Sequence, residues 1–261
     1  MKQAGKICMM NAKDFMQPEQ NLNNHGLVSF VIAAAGKGSR ANLPYPKCLF
    51  KVDNKEILLR ILDAFPENSD ITLITSPSGN EMIQDCIKKN KHKARFIIQE
   101  NPTGMGDAVL QLKKANKMLK DHILLTWGDL PFLSKQSIEE LIDHYFFSKS
   151  DFSFITNRSE LAYTIVKRDS ENKVIEIIET RESNTKILHE GERDIGVFIF
   201  KKSLIFDYLS KNLPGKIGKN TGEHGFLYIV KHLIKGGYTI NTIQTINDKE
   251  AVSFNSLEDL T

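Results

Sequence analysis

The stretch VIAAAGKGSR, residues 31–40, decides the fold, because a run of small apolar residues ends there in two glycines and two cations. The apolar run begins at Val28 and predicts a strand that is buried on both faces. Glycines that follow such a strand let backbone N–H groups approach an anion. The stretch therefore predicts a buried strand and a phosphate-binding loop, with a surface turn carrying two solvated cations as the alternative.

Strands and helices alternate after this loop up to about residue 150. Apolar runs predict three more strands, and apolar residues at helical spacing predict helices, one of them behind the N-cap Ser134. The strands are 70–76, 94–100 and 122–128, and the helices are 55–65, 80–89, one from about 106, and one after 134. Buried strands separated by helices of about 10 to 15 residues predict a parallel sheet built of right-handed βαβ units.

The second half of the chain is richer in strands. Strand-like segments lie at 151–157, 162–169, 173–180, 194–201 and 238–246, and helices are expected at about 202–211 and 222–235. We expect these strands to extend the same sheet and to form one wall of a pocket. The predicted class is α/β, with a Rossmann-like, mixed and mainly parallel sheet flanked by helices.

Composition narrows the range of partners and locations. The 261 residues carry a net charge of +3 and no compact basic face, so no nucleic-acid partner is expected. Three scattered cysteines without a CxxC motif suit a reducing cytoplasm. No apolar stretch approaches the roughly 18 residues of a membrane span, and the N-terminus has no signal-peptide core. We expect a cytoplasmic protein without membrane contact, with a loosely ordered polar arm at 1–26 and a single domain at 27–261.

Three kinds of glycine loop could explain the segment that follows the first strand. GKGSRA fits the Rossmann spacing G-x-G-x-x-A, but Pro44 and Pro46 would break the helix that must follow, and Glu56 lies at a helix start rather than a strand end. The P-loop spacing is absent. The third kind wraps a triphosphate, with Arg40 and Lys47 neutralising charge and the prolines holding the chain extended. The context favours this third loop.

These residues resemble the sugar-1-phosphate nucleotidyltransferases, or pyrophosphorylases. The family pattern L-A-A-G-x-G-[TS]-R followed by P-K is similar to AAAGKGSR followed by YPK. Three further motifs follow in the family's order: QENPTGMGDAV at 99–109, LLTWGDLPFLS at 124–134 and FNSLEDL at 254–260. The resemblance covers most of residues 28–261. It is closest to the uridylyltransferase domain that acts on N-acetylglucosamine 1-phosphate, and we expect none of that enzyme's acyltransferase domain within these 261 residues.

The resemblance implies a glycosyltransferase-A-like nucleotidyltransferase fold, with a nucleotide-binding half at about 27–150 and a sugar-phosphate-binding half at about 151–261. It implies an enzyme that uses Mg²⁺ and transfers a nucleoside monophosphate from a nucleoside triphosphate, UTP in the closest relatives, to a sugar 1-phosphate. A phosphate monoester is already largely dianionic near pH 7, because its second pKa is about 6, so the nucleophile needs no strong base. Catalysis would then come from alignment and charge neutralisation. A homo-oligomer is a further possibility that the sequence leaves open.

Positions that match the family motifs carry its site residues over to this chain. Arg40 and Lys47 would be catalytic, and Asp129 and Asn255 would hold Mg²⁺. The nucleotide-binding set would be Ala34, Ala35, Gly36, Gly38, Ser39, Gln99, Gly104 and Met105, and the sugar-phosphate set would be Glu179, Asp194, Gly196 and Glu223.

Structural alternatives exist for several of these residues. Asp129 could simply form a turn in GDLP, Asn255 could cap the last helix, and Gly104 could mark the start of a helix. Met105 stands where the family has threonine, which loses a hydroxyl contact to the base. Asp194 stands where the family often has asparagine and loses a donor.

Two other functions therefore stay open. One is a cytidylyltransferase for a polyol or amino-alcohol phosphate. The other is a non-catalytic subunit that senses a nucleotide sugar, which would be expected to lack Arg40, Lys47 or Asp129; all three are present.

Overall fold

The computed structural model of the protein describes residues 24–36, 43–160, 163–182 and 190–260. Its strands are β1 (Val28–Ala33), β2 (Lys51–Val52), β3 (Lys55–Glu56), β4 (Asp70–Thr75), β5 (Arg95–Ile98), β6 (His122–Trp127), β7 (Phe152–Ser159), β8 (Thr164–Arg168), β9 (Val174–Glu179), β10 (Gly191–Lys201) and β11 (Ile240–Gln244). The helices are α1 (Ile57–Ala64), α2 (Asn80–Lys89), α3 (Met105–Gln111), α4 (Lys135–Phe147), α5 (Lys202–Ser210) and α6 (Ile229–Lys235).

A seven-stranded sheet in the order β11-β7-β10-β6-β1-β4-β5 forms the centre of the molecule. β1 pairs in parallel with β4 and β6, and β10 runs antiparallel to both of its neighbours. The predicted mixed, mainly parallel α/β sheet is thus confirmed. Strands from both halves of the chain pair within it, which supports our proposal that residues 27–261 form one domain.

The sheet is buried on both faces because its central strands are apolar throughout. Phe30 and Leu124 pack into one core with α1 and α4, whereas Val31 and Leu125 pack into the opposite core with α3, α5 and α6. Side chains of a strand alternate between its two faces, so one continuous apolar run supplies both cores.

The structure corrects two predictions in the second half. β8 and β9 pair only with each other, as a separate two-stranded sheet, and do not extend the central one. The helix expected from 222 begins at Ile229. Gly222 has a left-handed φ of 69°, and backbone bonds from Gly218 N to Glu223 O and from Gly225 N to Lys216 O hold the preceding residues in a loop. We call residues 216–225 the bridging loop.

The N-cap of α4 is confirmed, since Ser134 Oγ accepts a hydrogen bond from Ser137 N at 3.1 Å. Within the described parts of the chain, no helix is both long enough and apolar enough to cross a membrane.

Candidate active site

A cavity of ≈ 510 Å³ opens at the carboxyl ends of β1 and β6. Ligands of parallel sheets gather at this edge, because the strands end there and the loops diverge. The first half of β10 forms a further wall, since its pairing with β6 stops at Val197 and Thr126 while β10 itself starts at Gly191. Residues 193–196 of that first half line the cavity.

Lys47, Asp129 and Asn255 meet at one end of this cavity. Lys47 Nζ lies 2.5 Å from Asp129 Oδ2 and 3.1 Å from Asn255 Oδ1. The three residues are up to 208 positions apart in sequence. The structure thus brings together the predicted catalytic lysine and both predicted metal ligands.

Buried packing fixes this arrangement. Lys47 belongs to a short 3₁₀ turn whose next residue, Cys48, is buried in the core. Phe50 ends that turn and stacks on Phe254, with ring centroids 4.3 Å apart. Phe254 N donates to Asp129 O at 2.8 Å, which sets the chain before Asn255 beside Asp129.

Asp129 lies in the turn that follows β6, as its structural alternative expected, but its side chain contacts Lys47. Asn255 Oδ1 also accepts from Lys47, while the backbone N–H groups of Asn255 and Ser256 donate to the Asp259 carboxylate, at 2.7 and 2.6 Å. Asp129 Oδ2 accepts from Lys47 and not from its own turn.

The oxygen atoms at this end of the cavity fit a magnesium ion. Asp129 Oδ1 is buried and has no hydrogen-bond partner among the described residues. Carboxylate and amide oxygens are hard ligands of the kind Mg²⁺ takes, usually one or two of them together with phosphate oxygens and waters. No group of three or more His, Cys, Asp or Glu that could enclose a metal occurs in the described parts of the chain. An ion held here would therefore depend on ligands from the substrate.

Two further carboxyl groups line the cavity, and we call this part of it the acidic end: Asp194 is buried and Glu179 is partly buried. Asp194 accepts from Thr164 Oγ1 at 2.5 Å and from Gly196 N at 3.0 Å. Burial raises the pKa of Asp194, although these hydrogen bonds counteract part of the rise. Burial also raises the pKa of Glu179, and the nearby Arg181 opposes that shift. Both groups suit hydrogen bonding to hydroxyls.

Gly196 lies against the only tryptophan of the chain. Its φ is +87°, and a Cβ at this position would lie 2.2 Å from Trp127 Cδ1. Trp127 ends β6 and lines the cavity. A glycine is needed here both for the backbone conformation and for the close approach of the indole ring.

The predicted base-binding loop is held from two sides. Gln99 is buried, and its Nε2 donates to Gly104 O at 3.1 Å and to Asp107 Oδ2 at 2.9 Å. On the other side, His224 N donates to Thr103 O at 2.7 Å, and Gly106 N donates to His224 O at 2.9 Å. The loop before α3 is thus fixed by internal contacts.

The bridging loop also contacts the acidic end of the cavity. Glu182 accepts from Asn220 N at 2.9 Å and from Thr221 Oγ1 at 2.6 Å. Arg181 lies 3.1 Å from both Glu179 and Glu223. The bridging loop therefore connects the two halves of the predicted site.

The structure distributes the predicted site residues in three groups. Those that line the cavity are Ala34, Gly36, Lys47, Met105, Asp129, Glu179, Asp194, Gly196 and Asn255. Ala35, Gln99, Gly104 and Glu223 are described but do not line it. Gly38, Ser39 and Arg40 lie outside the described residues.

Several cavity residues were not predicted, among them Trp127, Tyr163, Arg181, Arg193 and Phe226. Trp127 lies within the motif at 124–134 and at the carboxyl end of a predicted strand, so its sequence position could have indicated a place in the site. Arg193 precedes a predicted residue, but strand alternation would place it on the face opposite Asp194. Both nevertheless line the cavity, on the part of β10 that extends beyond its pairing with β6 and next to an irregularity in the pairing of β10 with β7.

Comparison with known proteins agrees with this geometry. The family model described as a MobA-like NTP transferase domain matches residues 30–196. A protein named "Bifunctional protein GlmU" from Thermodesulfovibrio yellowstonii is 25% identical over 236 residues, which is 88% of this chain and 50% of that protein. The protein of the same name from Streptococcus uberis is 27% identical over 188 residues, or 70% of this chain and 40% of that protein. The chain thus spans half or less of the length of these relatives.

A solved structure from Bacillus anthracis, described as a candidate glucose-1-phosphate thymidylyltransferase, shares the fold. Its TM-score is 0.68 at 16% identity, and the match covers 84% of this chain and 87% of that one. The chain belongs to the MobA-like NTP transferase domain family. Its recognition from sequence as a member of the sugar-1-phosphate nucleotidyltransferases is confirmed.

Proposed function

We propose that the protein transfers a nucleoside monophosphate from a nucleoside triphosphate, UTP in the first instance, to a sugar 1-phosphate and releases pyrophosphate. The observation that carries this proposal is the meeting of Lys47, Asp129 and Asn255 in a cavity that Glu179 and Asp194 also line. An ammonium group beside two oxygen atoms that could hold a metal suits the triphosphate. Carboxyl groups suit the hydroxyls of a sugar.

The reaction follows from the charges of the substrates. An oxygen of the acceptor phosphate attacks the α-phosphorus, a new P–O bond forms, the bond between the α-phosphorus and the bridging oxygen breaks, and pyrophosphate leaves with its electrons. The attacking oxygen is already anionic near pH 7, so the protein must hold two anions together rather than remove a proton. Lys47 supplies a positive charge at the triphosphate end, in a partly desolvated site where its effect is strong.

Asp129 and Asn255 would hold Mg²⁺, which would neutralise phosphate charge when it is bound. Lys47 contacts both ligands, so its ammonium lies beside the place where the phosphates must enter. Asp194 and Glu179 would orient the acceptor through its hydroxyls. Arg40 remains a proposed partner of Lys47.

The contact to the base would come from Met105, which lines the cavity and offers no hydroxyl to a base edge. The loop before it is held in place by Gln99 and by the bridging loop. A cytoplasmic location belongs to the same proposal and is supported by the scattered cysteines.

Pyrophosphorolysis tests the proposal directly. The folded protein is incubated with Mg²⁺, pyrophosphate and a panel of nucleotide sugars and nucleotide alcohols, and any triphosphate formed is identified. UTP from one UDP-sugar is the expected result. CTP from a CDP-alcohol would replace the proposed substrates by those of a cytidylyltransferase, and the absence of any triphosphate would favour a non-catalytic sensing subunit.

A lysine pair makes the test specific to the site. Lys47→Met should lower kcat/KM by about 100-fold or more, the effect typical of removing one preorganised electrostatic contact to a reacting group. Lys51→Met is the matched control, because Lys51 lies four residues away with an exposed side chain. It should change kcat/KM less than about 2-fold, since exposed charges interact weakly. Equal activities of the two variants would contradict the role of Lys47.

A further inference from the structure

The cations that line the cavity differ in how their charge is balanced. Lys47 is paired with Asp129, and Arg181 is paired with Glu179 and Glu223. Within the described parts of the chain, Arg193 has no carboxylate within ion-pair distance, although Asp194 is its neighbour in sequence. Both oxygens of Asp194 are instead bonded to Thr164 and to Gly196 N.

Arg193 is nevertheless held in place. Its Nη2 donates to Ala251 O at 2.5 Å, whereas its Nε is buried with no partner among the described residues. A guanidinium stays protonated in proteins and carries five N–H donors in a planar fork. A partly buried charge without a counter-ion is costly, so an anion that enters the cavity would gain from pairing with it.

The anchor of Arg193 belongs to the segment that carries a proposed metal ligand. Ala251 and Asn255 both line the cavity. Four residues can span at most about 14 Å when fully extended, so the carbonyl that holds Arg193 lies no farther than roughly this distance along the chain from Asn255. Arg193 also precedes Asp194 in the chain, and both residues line the cavity. The guanidinium is therefore anchored to the segment that carries a proposed metal ligand, in the same cavity as a proposed sugar contact.

We propose that Arg193 binds the phosphate monoester of the acceptor, the group that performs the attack. This inference rests on the proposed function and adds to it a residue that determines which acceptors bind. The planar fork of arginine matches two phosphate oxygens at once, whereas a hydroxyl-bearing acceptor without phosphate would leave the charge unpaired. Arg193 would also reduce the repulsion between the two anionic substrates, which must approach each other for the reaction.

Steady-state kinetics of Arg193→Gln and Arg193→Lys test the assignment with the acceptor identified by the panel above. Arg193→Gln should raise the acceptor KM by about 10- to 100-fold, the loss typical of hydrogen bonds to charged groups. The triphosphate KM should change less than about 2-fold, and Arg193→Lys should recover part of the loss because it restores charge without the fork. Arg158→Gln, the same change at an exposed arginine outside the cavity, should behave like the unmodified protein.

Two kinetic results would overturn the assignment: an acceptor KM unchanged in Arg193→Gln, or a rise confined to the triphosphate KM. Circular-dichroism melting shows whether each variant is folded. A binding measurement separates this inference from the proposed function. Inorganic phosphate is titrated while the emission of Trp127 is followed, and Arg193→Gln should bind it at least about 10-fold more weakly than the unmodified protein. If the panel shows no turnover, the proposed function fails, and equal phosphate affinity of the two proteins would then reject Arg193 as an anion site as well.

Discussion

Replacing Gly196 by alanine tests the close contact between β10 and Trp127 in the cavity wall. The added Cβ would lie 2.2 Å from Trp127 Cδ1, far inside van der Waals contact, so the indole or β10 must move. Overpacking of this kind costs about 1–3 kcal/mol. The left-handed φ of +87° adds about 1–2 kcal/mol for a residue with a side chain. Together these terms predict a loss of roughly 2–5 kcal/mol in the free energy of unfolding.

Thermal unfolding followed by circular dichroism measures this loss, and Trp127 emission reports the local movement. For a chain of this size, about 1 kcal/mol corresponds to roughly 2–4 °C in Tm, so Tm should fall by about 4–20 °C. Gly191→Ala is the matched control in the same strand. A Cβ there meets nothing closer than Ile165 at 3.9 Å, and the expected change is within about 0.5 kcal/mol. The reasoning is refuted if both variants melt together with unchanged tryptophan emission.

Three further perturbations address the bridging loop, the buried carboxyl and the support of the cavity wall. Gly106→Ala would place a Cβ 2.0 Å from Gly225 O, so it should release the bridging loop and increase hydrogen exchange of the amides at 216–225; unchanged exchange would contradict the contact. Burial raises the pKa of Asp194, so the carboxyl group holds its proton more tightly in the folded protein than in the unfolded chain. The contribution of Asp194 to the free energy of unfolding therefore falls as pH rises from about 4, near the pKa of an unfolded aspartate, through the raised pKa. Asp194→Asn should remove this loss, so the free energy of unfolding, measured with urea, should fall less between pH 5 and pH 8 than it does in the unmodified protein. An identical fall in both proteins would mean that Asp194 does not cause it. Glu250 is buried and accepts from Ser134 N and Ser137 Oγ, so Glu250→Ala should cost about 1–3 kcal/mol in urea unfolding, whereas Glu67→Ala, a change at an exposed position, should cost less than about 0.5 kcal/mol.

The local elements could be predicted from the sequence wherever the hydrophobic period was clear. α2 begins and ends at the residues expected from NEMIQDCIKK, and the cap at Ser134 was correct. The helix expected from 222 was wrong because Phe226, Ile229, Val230 and Leu233 are all buried at helical spacing, while Gly222 and the bonds of the bridging loop delay the helix. The spacing of apolar residues indicates which residues are buried. A buried residue in a loop, such as Phe226, can therefore fall in step with the apolar residues of the helix that follows it.

The sequence by itself determined the class of fold and the family, because these depend on short runs of residues and their order. The tertiary structure decided which side chains share the cavity. Lys47 reaches Asn255 across 208 positions, beside the stacked rings of Phe50 and Phe254, and Arg193 borders the cavity from the part of β10 that extends beyond its pairing with β6. Such contacts depend on strand register and on where neighbouring strands end. Neither the register nor the relative ends of the strands can be predicted from a local sequence pattern, because both are set only when distant segments pack together.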